Sequence, residues 1–207
     1  MKRYVLTIGL TAALTVLASS FNCAEAQSFN QTSVQKALQD RHSIRSYADK
    51  QLSEQTLSNL LWAANGVNRK DGRRTAPSAI NAQDIELYVN KADGVYHYAA
   101  ADKKLVKVSS EDIRTIIVGR NQFAMKAPVV ILLVSDKAKF RGNQNADILG
   151  AMDAGYVSQN IYLFCAAEGL GTVACAPRMD AEKVQKALRL SENSIPLIYH
   201  PVGYPAE

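Results

Sequence analysis

Apolar residues recur at helical spacing in some stretches and alternate in others, so the chain reads as a mixture of helices and strands. Residues 33–39 predict a short helix with Val34, Ala37 and Leu38 on one side. Leu57, Leu60, Leu61 and Ala64 fall at i, i+3, i+4 and i+7 and predict a second helix. Ser53 is its N-cap, Glu54 sits in its first turn, and Gly66 ends it. Residues 85–89 alternate and predict a strand. Residues 95–98 and 105–108 predict two more, with a turn at Asp102-Lys103-Lys104. Ser109 is a candidate cap for a helix through Val118, with Glu111 and Asp112 in its first turn. Residues 129–134 form an unbroken β-branched and leucine run, the mark of a strand buried on both faces. Residues 147–168 predict a long helix ended by Gly169 and Gly171. Met152, Gly155, Gln159, Tyr162 and Ala166 trace its expected inward face. A short strand at 172–175, a helix at 180–188 capped by Asp180, and a strand at 195–199 complete the series.

This order is α+β, with a mixed or antiparallel central sheet flanked by helices. It is not a clean βαβ series, and no GxGxxG opens a first βα turn, so a doubly wound dinucleotide domain is a poor fit. The N-terminus stands apart. Lys2 and Arg3 precede an uncharged run at 5–18, and Ala24-Glu25-Ala26 offers a small-x-small cleavage site. This is the pattern of a secretory signal peptide at 1–26, with a mature start at Gln27 and export to the periplasm. The run is short for a membrane span, so no stable membrane insertion is expected after cleavage. Cys23 raises a lipoprotein reading that Phe21 and Asn22 before it fit poorly. Residues 27–207 then make one domain of ordinary size.

Charge adds little. The chain carries 24 Lys and Arg against 19 Asp and Glu, a net +5, which matters only where charges converge. No zinc-finger spacing or aromatic-basic ladder is present, so nucleic acid is not an expected partner. No histidine pair stands at ligand spacing, and no metal is expected. Cys165 and Cys175 do not make a disulfide framework. Cys165 lies in an apolar helical run that suits an inert buried thiol.

Two segments carry candidate chemistry. In extended backbone Arg41, Ser43 and Arg45 share one face, so two guanidinium forks and a hydroxyl can converge on phosphate oxygens. The same residues also suit a solvated basic patch, and His42 points the other way. Pro77-Ser78-Ala79-Ile80-Asn81-Ala82-Gln83 is a polar turn before a strand. The amides of Asn81 and Gln83 both donate and accept, as the edge of a flavin ring requires, or serve the turn itself. Gly169-Leu170-Gly171 suits either a helix exit or close backbone approach to a ligand. Tyr162, His97 and His200 show no pattern beyond packing or isolation.

Taken in order, these stretches resemble the flavin-dependent nitroreductase family, especially its branch related to thiazole- and oxazole-forming dehydrogenases. Arg41-His42-Ser43-Ile44-Arg45-Ser46-Tyr47 is similar to the family's flavin-phosphate motif. Leu60-Leu61-Trp62-Ala63-Ala64-Asn65-Gly66 resembles the helix end that follows it. Arg74-Thr75-Ala76-Pro77-Ser78-Ala79 and Asn81-Ala82-Gln83 resemble the second flavin segment. Gly94-Val95-Tyr96-His97-Tyr98 matches a branch-specific strand. Gln159-Asn160-Ile161-Tyr162-Leu163, Gly169-Leu170-Gly171 and Pro201-Val202-Gly203-Tyr204-Pro205 match the later half.

The resemblance implies an intertwined homodimer with FMN at the subunit interface. Arg41, Ser43 and Arg45 would hold the phosphate and ribityl end, with His42 nearby. Pro77, Ser78, Asn81 and Gln83 would line the ring from the other subunit, and the backbone of Gly169, Leu170 and Gly171 would approach it. It implies an oxidoreductase that takes hydride from NADPH, NADH or another donor and passes electrons to a nitroaromatic or quinone-like acceptor. No side chain is needed as a covalent catalyst. The resemblance also extends to flavin-dependent dehydrogenases of small organic substrates and to non-catalytic flavin- or tetrapyrrole-binding proteins. Three departures stand out: Asp84 where many relatives place Pro, Pro177-Arg178-Met179 where many carry a Glu-Gly pair, and no basic tail after Pro205. Either FMN affinity is lower for want of that tail, or Arg178 or Arg141 compensates for it.

Overall fold

The computed structural model of the chain describes residues 33–176 and 179–206. The expected signal segment 1–26, with Cys23 and the start at Gln27, lies outside the described residues, as do Pro177 and Arg178.

Among the described residues, the helices are α1 (Ser33–Asp40), α2 (Glu54–Asn65), α3 (Arg114–Val118), α4 (Ala146–Ala167) and α5 (Ala181–Leu188). The strands are β1 (Ile85–Lys91), β2 (Gly94–Ala99), β3 (Lys104–Ser109), β4 (Val129–Asp136), β5 (Gly171–Thr172) and β6 (Ser194–Gly203). They form one sheet in the order β3-β2-β1-β4-β6-β5, antiparallel at every pairing.

Register sorts side chains to the two faces. Leu87 opposite Leu133 and Val89 opposite Ile131 join Leu57, Leu60, Leu61, Ala154, Val157 and Ile161 in the core beneath α2 and α4. The alternate positions Val130, Leu132 and Val134 pack with Ile113, Ile117, Val184 and Tyr199 beneath α3 and α5. β4 is thus covered on both sides, as its apolar run requires. Ser53 caps α2 by accepting the Thr56 N–H at 3.0 Å, worth about 1 kcal/mol. Asp180 caps α5 by accepting the Lys183 N–H.

Four expectations are corrected. The first concerns the inward face of α4. Met152, Gly155 and Gln159 are exposed, while Gly150, Asp153, Ala154, Val157, Ser158, Ile161 and Cys165 are buried. The helix is apolar on nearly every side, so periodicity marks no single face. Two polar residues that find partners inside, Asp153 and Ser158, show which way it turns.

The second is the helix expected from Ser109. Ser109 ends β3, and its hydroxyl accepts the Glu111 N–H in a turn. Asp112 accepts the Arg114 N–H and pairs with the Arg114 guanidinium, which delays the helix to Arg114. Third, β6 continues past Tyr199 to Gly203, with Pro196 at a register shift against β4. Fourth, only Ala37 of the expected α1 stripe is buried; Val34 and Leu38 face outward. Cys165 and Cys175 are both free and buried.

Candidate functional site

The segment 41–45 leaves α1 in extended form and docks on β5, with the Ile44 N–H donating to the Thr172 carbonyl at 2.9 Å. Gly171 makes this approach possible: a Cβ there would stand 2.6 Å from Ile44 Cγ2. Alternation then puts Arg41 and Ser43 on one face. Both converge on Tyr162 of α4. The Arg41 guanidinium lies 5.3 Å from the ring centroid, and Ser43 Oγ is 3.0 Å from the phenol oxygen. Tyr162 also accepts the Ala174 N–H at 2.9 Å. Arg45 is exposed and within electrostatic reach of Cys175, one residue beyond Ala174. A cation, a hydroxyl and an aromatic phenol therefore share one patch, with Arg45 at its border.

A buried histidine supports that patch. His200 of β6 meets Tyr162 edge to face at 5.4 Å. Its Nε2 is 2.8 Å from Ser158 Oγ, and its Nδ1 is 3.0 Å from Thr172 Oγ1. Burial holds the imidazole down to about 3, so it is neutral, with one nitrogen donating and the other accepting. The network joins α4, β5 and β6 behind Tyr162.

His42 and Ile44 border a hollow of about 130 Å³ together with Tyr162, Gly169, Leu170 and Thr172. The His42 ring nitrogen Nδ1 bonds the Asp40 carbonyl oxygen. Gly169, at φ 65, follows the end of α4, and the Leu170 N–H returns to the Cys165 carbonyl at 2.8 Å. This is a Schellman closure, whose left-handed position favours glycine.

The segment 77–83 lies elsewhere on α4. The Ala79 N–H donates to both oxygens of Asp153, at 3.0 and 2.9 Å. The Gln83 N–H donates to Ser78 Oγ at 2.9 Å and closes the turn. Between these anchors Ile80, Asn81 and Gln83 have φ of 49°, 55° and 49°. Left-handed backbone at a β-branched residue costs about 1–2 kcal/mol. Pro77, Ile80 and Asn81 are exposed. The Gln83 amide is taken up inside the segment: it accepts from Arg74 Nε and donates to the Gly72 carbonyl and to Asn81 Oδ1. Gln83 therefore braces the turn rather than reaching outward.

Beside it, Glu86 pairs with His97 Nε2 at 2.9 Å and with Lys139, whose ammonium also reaches the Gln83 carbonyl at 3.0 Å. Burial would raise the Glu86 carboxyl. The His97 and Lys139 hydrogen bonds outweigh it and hold Glu86 below the usual range.

The structure thus gathers Arg41 and Ser43 around Tyr162, and His42 with Tyr162, Gly169 and Leu170 around the hollow; Arg45 is exposed near Cys175. It keeps Pro77, Ser78, Asn81 and Gln83 apart. The two groups meet α4 nine positions apart, at Asp153 and Tyr162, which is about 13–14 Å along the helix. Arg141 follows the turn Lys137–Phe140 and is exposed. Sequence reasoning passed over Tyr162, His200, Thr172 and Asp153. All four are long-range partners; the Ser43–Tyr162 pair spans 119 positions, and no local spacing marks such a pair.

Comparison with known proteins gives the class. The Nitroreductase family pattern matches residues 38–204. A Methanocaldococcus jannaschii protein assigned as a nitroreductase is 31% identical over 179 residues, covering 81% of this chain and 88% of that one. The FMN reductase [NAD(P)H] of Bacillus subtilis is 26% identical, covering 83% of this chain and 66% of its own length. A crystal structure assigned as a nitroreductase from Ralstonia eutropha superposes with a TM-score of 0.79 at 30% identity, covering 84% of this chain and 83% of that one. The chain belongs to the Nitroreductase family.

Proposed function

We propose that the protein is an FMN-dependent oxidoreductase that works as a homodimer, with each flavin held between two copies of the chain. It takes electrons from NAD(P)H or another donor and reduces nitroaromatic or quinone-like acceptors. Family membership supports the class of reaction, and the relative named for FMN and NAD(P)H supports the cofactor and donor.

The observation that carries the split site is one of volume and distance. The two hollows bordered by the candidate residues are about 130 and 10 Å³, against roughly 300–1,000 Å³ for an ordinary small-molecule site. One chain holds two parts of a site about 13–14 Å apart along a helix. The outward face of α4 supports the pairing of two chains. Ile148, Met152 and Tyr156 stand at i, i+4 and i+8 and are 63%, 51% and 44% exposed. An apolar stripe of this kind on a solvent face marks an interaction surface, and a second copy would cover it.

The residues present fit the phosphate end of FMN. The Arg41 fork, stacked on Tyr162, keeps its edge N–H groups for phosphate oxygens. The Tyr162 hydroxyl accepts from Ala174, so its own proton is free for Ser43 Oγ; the Ser43 proton is then free for a phosphate or ribityl oxygen. At the other part, Ser78 and Gln83 fix the turn, and Asn81 would offer its amide to the ring edge. Bound FMN supplies the two-electron exchange, and the protein supplies binding, orientation and electrostatics. Export, expected from residues 1–26, would favour a donor other than a nicotinamide nucleotide.

The test is an anaerobic visible spectrum of the protein with FMN, before and after NADPH or NADH. Bleaching of the flavin band, reversed by a nitroarene or quinone, is the expected result. Bound flavin that stays oxidised with every donor tried would remove the oxidoreductase reading.

A further inference from the structure

Asp84 carries an oxygen that its surroundings leave orphaned. Its side chain is fully buried at the start of β1. Ser135 Oγ–H donates to Asp84 Oδ2 at 2.5 Å. Among the described residues, Asp84 Oδ1 has no hydrogen-bond donor facing it. A second carboxyl, Asp153, itself 1% exposed, borders the same small hollow. Asp153 already receives the Ala79 N–H on both oxygens.

The groups packed around this pair do not neutralise it. From the loop after α2, Arg74 borders the same small hollow, but its guanidinium is bonded to Gln83 Oε1 and the Asn65 carbonyl. From β4 comes the neutral Ser135. From α4 come Asp153 and Gly150, which leaves no room for a side chain over Ser135 and Asp84. Glu86, two positions along β1, is paired with His97 and Lys139.

Two adjacent buried carboxylates with no cation bonded to either cannot both hold charge. One proton resolves every valence. Placed on Asp84 Oδ1, it turns the orphan acceptor into a donor toward Asp153. Asp84 Oδ2 still accepts from Ser135. Asp153 remains a carboxylate and accepts from Asp84 and from Ala79.

We propose that Asp84 and Asp153 share one proton, with Asp84 as the acid, and that this acid–carboxylate pair is the positioning device for the turn Ala79–Asn81. Burial first, and the Asp153 carboxylate beside it, hold the Asp84 acid up to about 7. Loss of the proton sets two anions against each other. Asp153 then withdraws from the Ala79 N–H, and the strained turn loses its first anchor. The consequence for flavin rests on the reading that Ser78 and Asn81 line the ring: FMN affinity falls as pH rises through neutrality.

The proton itself is read without flavin. Infrared spectra of the protein labelled with 13C-aspartate are expected to show a buried carboxylic-acid band at pH 6 that fades by pH 8. Asp84→Asn should lack it. Ser135→Ala, which removes a hydrogen bond favouring the anion, should keep the band to higher pH, and it serves if Asp84→Asn does not fold. The absence of any such band at pH 6 in the unsubstituted protein overturns the shared proton. In parallel, the FMN Kd of the unsubstituted protein should weaken about tenfold between pH 6 and 8, while that of Asp84→Asn stays level apart from the ionisation of FMN itself. Equal pH profiles for the two proteins overturn the positioning role. A protein that binds no FMN at any pH would defeat the functional reading and leave the infrared result to decide the pair.

Discussion

Ser43 and Tyr162, 119 positions apart in the chain, meet hydroxyl to hydroxyl at 3.0 Å. Tyr162 accepts the Ala174 N–H, which leaves its proton available to Ser43 and the Ser43 proton available to a ligand oxygen. Tyr162→Phe keeps the ring beneath Arg41 and removes this relay. Net loss of such hydrogen bonds costs about 1 kcal/mol each. FMN affinity should drop several-fold, with little change in melting temperature. Calorimetric titration with FMN measures it, and an unchanged Kd would separate Ser43 from the phosphate.

Ile80 holds φ 49° with a side chain 67% exposed. Glycine accepts that backbone without strain and gives up little packing in a single chain. Ile80→Gly should therefore raise the stability of the protein in urea by about 1 kcal/mol. A loss of stability instead would show that a second copy covers the Ile80 side chain.

Asp84 and His200 make opposite contributions to stability against pH. Asp84 is raised from 3.8 to about 7 in the fold. The folded protein keeps a proton that the unfolded chain has lost, so this contribution is complete below pH 4 and is lost as pH rises to 7. His200 is lowered from 6.5 to about 3. The unfolded chain binds a proton that the fold refuses, so this contribution is present above 6.5 and is lost as pH falls toward 3. Each slope is at most about 1.4 kcal/mol per pH unit, and the two offset each other between pH 4 and 6.5. Removing one exposes the other. The stability of Asp84→Asn, relative to the unsubstituted protein, should climb steadily from pH 4.5 to 7 in urea unfolding. Parallel curves would mean that Asp84 ionises normally in the fold.

The sequence made the framework readable where one local signal dominated. The β-branched run of β4, the Ser53 and Asp180 caps and the glycine exit of α4 each rest on neighbours within a few positions. The alternation at 41–45 also placed Arg41 and Ser43 on one face, as observed. What stayed hidden depends on partners far along the chain. α4 is apolar all round, so its inward side is decided by Asp153 and Ser158 finding Ala79 and His200. His200 looked isolated because Thr172 and Tyr162 reach it only through the sheet and α4. Gln83 offered an amide to a ligand, and Arg74 and Gly72 use it first.

On the proposed function, one functional site is made of two chains, Arg41 from one and Asn81 from the other. Arg41→Ala and Asn81→Gly test it together; glycine at 81 keeps the left-handed backbone, φ 55°, while removing the amide. Each protein alone should remain dimeric and bind FMN poorly, with Arg41→Ala costing roughly 2–4 kcal/mol. In a dimer of one chain of each kind, one site carries both changes and the other carries neither. The measurement is FMN stoichiometry after the two proteins are unfolded, mixed and refolded. Random pairing should restore about a quarter of the sites of the unsubstituted protein. No recovery, with mixed dimers present, would contradict the shared site and place Arg41 and Asn81 at the same flavin within one chain or at none.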